Sequence, residues 1–282
     1  MSDNSPPKLR SLLNPGRIVA NLWRHRDLIW QFTLREIHIR HKGSRLGIVW
    51  ALLNPLSMLV LYGFVFRVLF KSGFGVFPNE TGFDYTLELF LGLSMFHVFA
   101  ETLGWSPSLI SSNPNFVKKV VFPLEVLPVA KIGDAAFHVA ASLSLILLGI
   151  AVGNSNGGLS WSVLWLPALM LPLLLLALGM AWALAAIGVF VRDVSQLVAF
   201  ASTAVMFGSC VMFSPRQVPE PIYVFLRFNP LLQLFDVARH VLFGHEAMNW
   251  TKLGYVYACA LGVLLAGHAF FGLLRRSFAE VI

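Results

Sequence analysis

The chain has 282 residues, 57% hydrophobic and only 12% charged, with a formal net charge of +7 and a mean hydropathy of +0.71. A soluble domain carries roughly 25% charged residues, so the composition excludes an ordinary soluble fold and points to an all-α integral membrane protein. Nine of the 21 Lys and Arg lie in residues 1–45, beside the first apolar run. Topology accounts for the basicity, and no nucleic-acid partner is needed.

Residues 1–16 are polar with three prolines and read as a loose tail. A cleavable signal peptide is not expected, because polarity extends over some 45 residues before the first apolar run. Residues 17–45 form an amphipathic interface segment. Trp23, Trp30, Leu34 and Ile37 share one helical face, and Leu28, Phe32 and Ile39 make a second stripe nearly opposite. Two stripes suit a helix wedged between bilayer and protein; a plain anchor helix on the membrane and a helix that receives a partner fit equally.

From Leu46 to Phe66 no Asp, Glu, Lys or Arg occurs in 21 residues. A helix needs about 20 such residues to cross a bilayer core, so the first span is placed at 46–70. Arg35, Arg40, Lys42 and Arg45 hold its start in the cytoplasm. The glycine- and acid-containing stretch 71–88 reads as an outer connection, followed by a second span at 89–110. Glu101 in that span must face protein or water, as a path residue or as a carboxylate bonded to a neighbouring helix.

Residues 111–134 return to the cytoplasm with Lys118 and Lys119. Asn113 to Phe122 is long enough for a short helix, with Pro114 at its first position and Pro123 ending it; a plain loop is the alternative. Ala135 to Val191 holds no Asp, Glu, Lys or Arg over 57 residues and turns at GNSNGG, which predicts spans at 129–152 and 161–191. Lys131, Asp134 and His138 share a face at the mouth of the third span, and a local Lys131–Asp134 pair is the preferred reading. A fifth span is placed at 194–213 and a sixth at 253–274, with residues 277–282 as a cytoplasmic C-terminus. Between the last two spans, residues 214–250 mix prolines, charges and helical apolar spacing, which suits short re-entrant external helices. Even span number and the basic residues after spans two, four and six put both termini inside.

There is no GxxxxGK[ST], GxSxG, HExxH or paired-carboxylate motif. Cys210 and Cys259 sit in apolar runs without metal-ligand spacing, so neither a disulfide framework nor a metal site is expected. Six spans, a helical platform and a proline-bounded lever on the cytoplasmic side fit a conduit driven by something else.

Three blocks carry a more specific signal. RHKGSRLGIVWALLNPLSMLVLYGFVF resembles the opening signature of type-2 ATP-binding-cassette export permeases, especially those moving lipid-linked O antigen, capsule or teichoic acid. NPNFVKKVVFPLEVLPVAKIGD resembles the family's coupling segment. VFVRDVSQLVAF with FSPRQVPEPIYVFLRFNPLLQLFDVARHVLFG resembles its fifth span and external gate helices. The resemblance covers about residues 22–282, and the blocks occur in it in the same order.

The resemblance implies a homodimer in the bacterial cytoplasmic (inner) membrane, joined to two copies of a separate ATPase that binds ATP and Mg; this chain would hold no cofactor and is not an enzyme on its own. It also implies a lipid-linked glycan as substrate among the membrane lipids. By the same resemblance Asn113, Phe116, Lys118, Lys119 and Phe122 form the coupling helix, and Trp23, Trp30, Leu34 and Ile37 the interface helix beside it. Arg192 and Asp193 match the family's pair at the inner end of the fifth span, Pro230 and Arg239 match its external region, and FAEVI its acidic end. Arg227, Asp236 and Arg239 are the candidate external gate. Trp50, Tyr62, Phe66, Glu101, Phe200 and Phe207 are candidate path residues, since flat aromatic faces let sugar rings slide; aromatics also serve simply as packing or interface residues. A type-2 exporter of a drug or smaller lipid, an ion-coupled transporter and a membrane-embedded transferase are the competing readings.

Overall fold

The computed structural model describes residues 13–65, 73–118 and 122–281, and among them every regular element is helical. In chain order these are α1 (Pro15–Arg24), α2 (Arg26–His41), α3 (Trp50–Tyr62), α4 (Gly82–Trp105), α5 (Pro114–Val117), α6 (Val126–Gly153), α7 (Leu166–Phe190), α8 (Val194–Gly208), α9 (Glu220–Leu226), α10 (Pro230–Leu242), α11 (Trp250–Leu274) and α12 (Phe278–Val281). Phe66 and Lys119 fall outside the described residues, as does most of the tail.

Five apolar helical stretches are long enough to cross a membrane: Gly47–Val65, Gly82–Ser108, Val126–Gly153, Trp161–Phe190 and Trp250–Ser277. The expected span at 194–213 is shorter than predicted. α8 has 15 residues, about 22 Å of helix against a ~30 Å core. It stops because Cys210 adopts the left-handed region (φ 49°), which an α-helix cannot continue through.

The second apolar helix begins earlier than the sequence suggested. Thr81 and Asp84 make a reciprocal capping box at its start, with Asp84 N donating to Thr81 Oγ1 at 3.3 Å and Thr81 N to Asp84 Oδ2 at 2.9 Å. The same Asp84 accepts from Ser155 Oγ at 2.6 Å, tying the glycine-rich turn after α6 to the start of α4. That turn needs glycine, since Gly157 and Gly158 both have positive φ. The interface segment also differs: it is two helices, broken at His25, whose ψ of 16° interrupts the helical run.

The core lies where α4, α7, α10 and α11 meet, around fully buried Trp182, Tyr85, Phe235 and Phe271. α7 and α11 cross at Gly179 and Gly267, where a methyl on Gly267 would overlap the Gly179 carbonyl, so the two backbones touch directly. A second such crossing sets Gly188 of α7 against the Pro107 carbonyl. α3 and α8 stand at the margin with most of their apolar side chains exposed, among them Val60, Leu61, Leu197 and Phe200.

Candidate translocation cavity

The site starts from a clamp between α2 and α6. Thr33 is buried against Gly133, where any side chain would meet the Thr33 methyl and hydroxyl, and its Oγ1 donates to the Ala130 carbonyl at 3.3 Å. One turn on, Glu36 pairs with Lys131 at 2.9 Å; the next turn brings Arg40 to Asp134 at 3.1 Å and to Glu101 of α4 at 2.6 Å. Positions 33, 36 and 40 share a helical face, so one stripe of α2 makes all of these contacts. The local Lys131–Asp134 pair is therefore not formed: each residue has an oppositely charged partner on α2 instead. Burial alone would raise the Glu36 carboxyl, but hydrogen bonds from Lys131 and Arg35 outweigh it and hold the group below the usual carboxylate range. For Arg40, burial works against the charge, and Glu101 and Asp134 more than restore it.

Above this clamp a cavity of about 700 Å3 opens between α3, α4 and α6. Trp50, Met58 and Tyr62 of α3 form one wall, Phe90 and His97 of α4 another, and Arg40, Glu101 and His138 close its mouth. Trp50 is oriented by its Nε1, which donates to Ser44 Oγ at 2.7 Å. His41 and His138 stack at the mouth with ring centroids 5.3 Å apart. Arg40, shared between two carboxylates, leaves no unpaired Lys or Arg at the mouth among the described residues, so the mouth is a closure and not an anion trap. The body of the cavity is aromatic and aliphatic, suited to an amphipathic chain that must not be gripped.

Of the path candidates, Trp50, Tyr62 and Glu101 converge on this cavity. Phe200 and Phe207 do not line it; both are exposed on α8, whose Met206 reaches the cavity instead.

The coupling segment contains a helix of one turn, α5, far shorter than the expected Asn113–Phe122, although Pro114 does occupy its first position. Asn113 does not cap it through its side chain, donating instead to the Leu109 carbonyl at 2.8 Å. Phe116 and Phe122 stack at 4.5 Å and both pack on Phe32 of α2, at 5.5 and 5.6 Å, with the Arg35 guanidinium 4.4 Å over the Phe32 ring. The far side is tied by Arg275, which pairs with Glu125 at 2.5 Å and donates to the Phe122 carbonyl at 3.1 Å. Lys118 is exposed. Along the interface helix Ile37 is buried and Leu34 half-buried, while Trp23 and Trp30 are 68% and 64% exposed. The break at His25 puts Trp23 on a different helix from the other three.

In the 214–250 region, Arg227 is exposed and Asp236 half-buried, but Arg239 is 2% exposed. Its guanidinium donates to the carbonyls of Val211 at 2.6 Å and Cys210 at 3.2 Å and lies 3.8 Å from the Phe74 ring centroid. Arg239 thus holds the turn after α8 against α10. Near it Glu88 is fully buried, its carboxylate oxygens without a hydrogen-bond partner among the described residues.

Sequence reasoning missed Arg40, Glu36 and Thr33. Their signal is a third face of the 26–41 helix, and its partners Glu101, Lys131 and Asp134 lie far along the chain. Among the described residues no group of three His, Cys, Asp or Glu is arranged to hold a metal.

Comparison with known proteins matches residues 27–243 to the ABC-2 type transporter family. The chain is similar to the O-antigen export system permease protein RfbA of Myxococcus xanthus, 29% identical over 269 residues that cover 94% of this chain and 99% of the relative. It is also similar to RfbA of Klebsiella pneumoniae (25% identical, 91% and 95% covered) and to the polysialic acid transport protein KpsM of Escherichia coli (24% identical, 84% and 90% covered).

Proposed function

The chain belongs to the ABC-2 type transporter family, and from that premise we propose that it is the channel-forming permease of an exporter of lipid-linked polysaccharide. The exported glycan is O-antigen-like or capsular, and hydrolysis of ATP with Mg in a separate subunit drives it. The observation that carries this reading is the aromatic-walled cavity bounded by α3, α4 and α6, whose mouth is closed by the end of the interface helix. Similarity to polysaccharide export proteins over nearly the whole chain supports the same substrate class.

The functional unit is a homodimer with two ATPase copies in the bacterial inner membrane. α8 serves as the remaining crossing of a six-span subunit with both termini in the cytoplasm. The exposed apolar flanks of α3 and α8 support a second copy completing the passage. Segment 113–122 faces the ATPase, and helices α9 and α10 form the exit.

Deleting the gene from its native host tests the proposal. The expected result is loss of a surface glycan, with the lipid-linked form accumulating on the cytoplasmic side. Unchanged surface glycan together with loss of drug or small-lipid efflux would refute the substrate class.

A further inference from the structure

A second cavity, of about 410 Å3, lies between the turn after α8, the start of α9, α10 and the first turn of α11. Its size is in the ~300–1,000 Å3 range of ligand pockets, but its chemistry is the reverse of the inner cavity's. Carboxylates of Glu220 and Asp236 and the cationic or imidazole groups of Arg216, Arg239, His240 and Lys252 line it together, with half-buried Tyr223.

These groups are held in place beforehand. Lys252 Nζ lies 2.7 Å from Asp236 Oδ2, and His240 Nδ1 lies 2.9 Å from a Glu246 oxygen. Arg216 Nη1 donates to the Gly75 carbonyl at 3.0 Å. Lys252 and Arg216 retain further N–H donors. Glu220 and Tyr223 make no side-chain hydrogen bond or ion pair among the described residues, and so offer an acceptor and a hydroxyl to an occupant.

The ligand class follows by elimination. The Arg239 guanidinium is spent on the Val211 and Cys210 carbonyls, and Lys252 is neutralised by Asp236, so a phosphate would face the uncompensated Glu220 carboxylate, and like charge opposes it. An apolar molecule would leave preformed donors and acceptors unpaired. A sugar ring fits both demands, because each hydroxyl donates and accepts, and its C–H face packs on an aromatic ring such as that of Tyr223.

We infer that this pocket binds a neutral saccharide unit. Its identification with the glycan emerging at the exit rests on the proposed function; its chemistry does not. A polar, pre-organised pocket at the exit, after a cavity whose walls expose more apolar than polar surface, favours forward movement of the leading sugars.

Saturation-transfer NMR on the permease with its ATPase in nanodiscs tests this, using glucose, galactose, mannose, rhamnose and N-acetylglucosamine as probes. At least one sugar is expected to bind, with a dissociation constant on the order of 1 mM. Glu220→Gln and Tyr223→Ala should each weaken binding about tenfold; neither removes a described hydrogen bond or ion pair, and thermal melts check that both remain folded. Lys252→Met is an independent third variant with the same expected loss. Trp161→Ala, at an exposed residue that lines neither cavity, should leave sugar binding unchanged. Binding of no sugar, binding of inorganic phosphate at this site in its place, or unchanged binding in all of the pocket variants overturns the inference. Glycan export without sugar binding sinks the pocket alone, whereas sugar binding by a complex that exports no glycan sinks the export reading alone.

Discussion

Replacing Arg40 by Gln removes the only described cation that joins α2 to both α4 and α6 at the cavity mouth. The Asp134 side chain it leaves behind is 7% exposed and the Glu101 side chain 22% exposed. Breaking a buried pair by deleting one partner costs ~3–5 kcal/mol, whereas an exposed pair is worth ~0–1 kcal/mol. Arg40 itself is 36% exposed, so the cost falls between these limits, at about 2 kcal/mol. That corresponds to roughly a thirtyfold shift toward the unfolded state. Adding Asp134→Asn should recover about 1 kcal/mol, because the orphaned charge is then gone. Reversible unfolding in mixed micelles measures both values. A loss below ~0.5 kcal/mol for Arg40→Gln, or no recovery in the double variant, would show that the mouth is not held by this guanidinium.

Four further outcomes follow from the same structure. Phe116→Ala with Phe122→Ala should leave an inserted permease that assembles with its ATPase yet moves much less glycan per ATP, since both rings connect segment 113–122 to Phe32; an unchanged ratio in proteoliposomes would place the connection elsewhere. Gly267→Ala forces a methyl against the Gly179 carbonyl and should destabilise the protein by ~1–3 kcal/mol, read from the same unfolding curves. The highly purified chain should hydrolyse no ATP in a phosphate-release assay, having no phosphate-binding loop; appreciable activity in the absence of any partner would contradict the division of labour. Because the Glu36 carboxyl is held low in the folded state, the Glu36–Lys131 contribution is fully present above the unfolded carboxylate value of ~4.3 and disappears as the pH falls through the lower folded value. A spin-label pair across α2 and α6 should thus report constant separation between pH 5 and 8 and loosening only in stronger acid.

What the sequence made legible is what composition alone decides. Charge-free runs located four of the five long apolar helices, and Trp50, Tyr62 and Glu101 line one cavity. Where a residue's role depends on a distant partner, the reading failed. Asp84 and Glu88 looked like loop acids because neither the Ser155 contact nor buried Arg239 is visible from neighbouring residues. Lys131 and Asp134 looked like a local pair because a helix offers that geometry cheaply, yet Glu36 and Arg40 lie some 95 residues earlier in the chain. Arg239 looked like a surface charge at an exit, and only the two carbonyls bared by the left-handed turn at Cys210 explain its burial.

The glycine crossings of α7 reach beyond packing. Where backbone touches backbone, as at Gly179 with Gly267 and at Gly188 with Pro107, no side chain is present to rotate and absorb a small displacement. α7, α11 and the turn after α4 therefore form one rigid frame, and in the proposed exporter a stroke from the ATPase would be taken up by α3 and α8, whose apolar side chains are mostly exposed. On the proposed function, fixed frame and moving parts would be sorted by residue size: glycine where backbones touch, and Leu, Val and Phe facing outward where helices are free to shift.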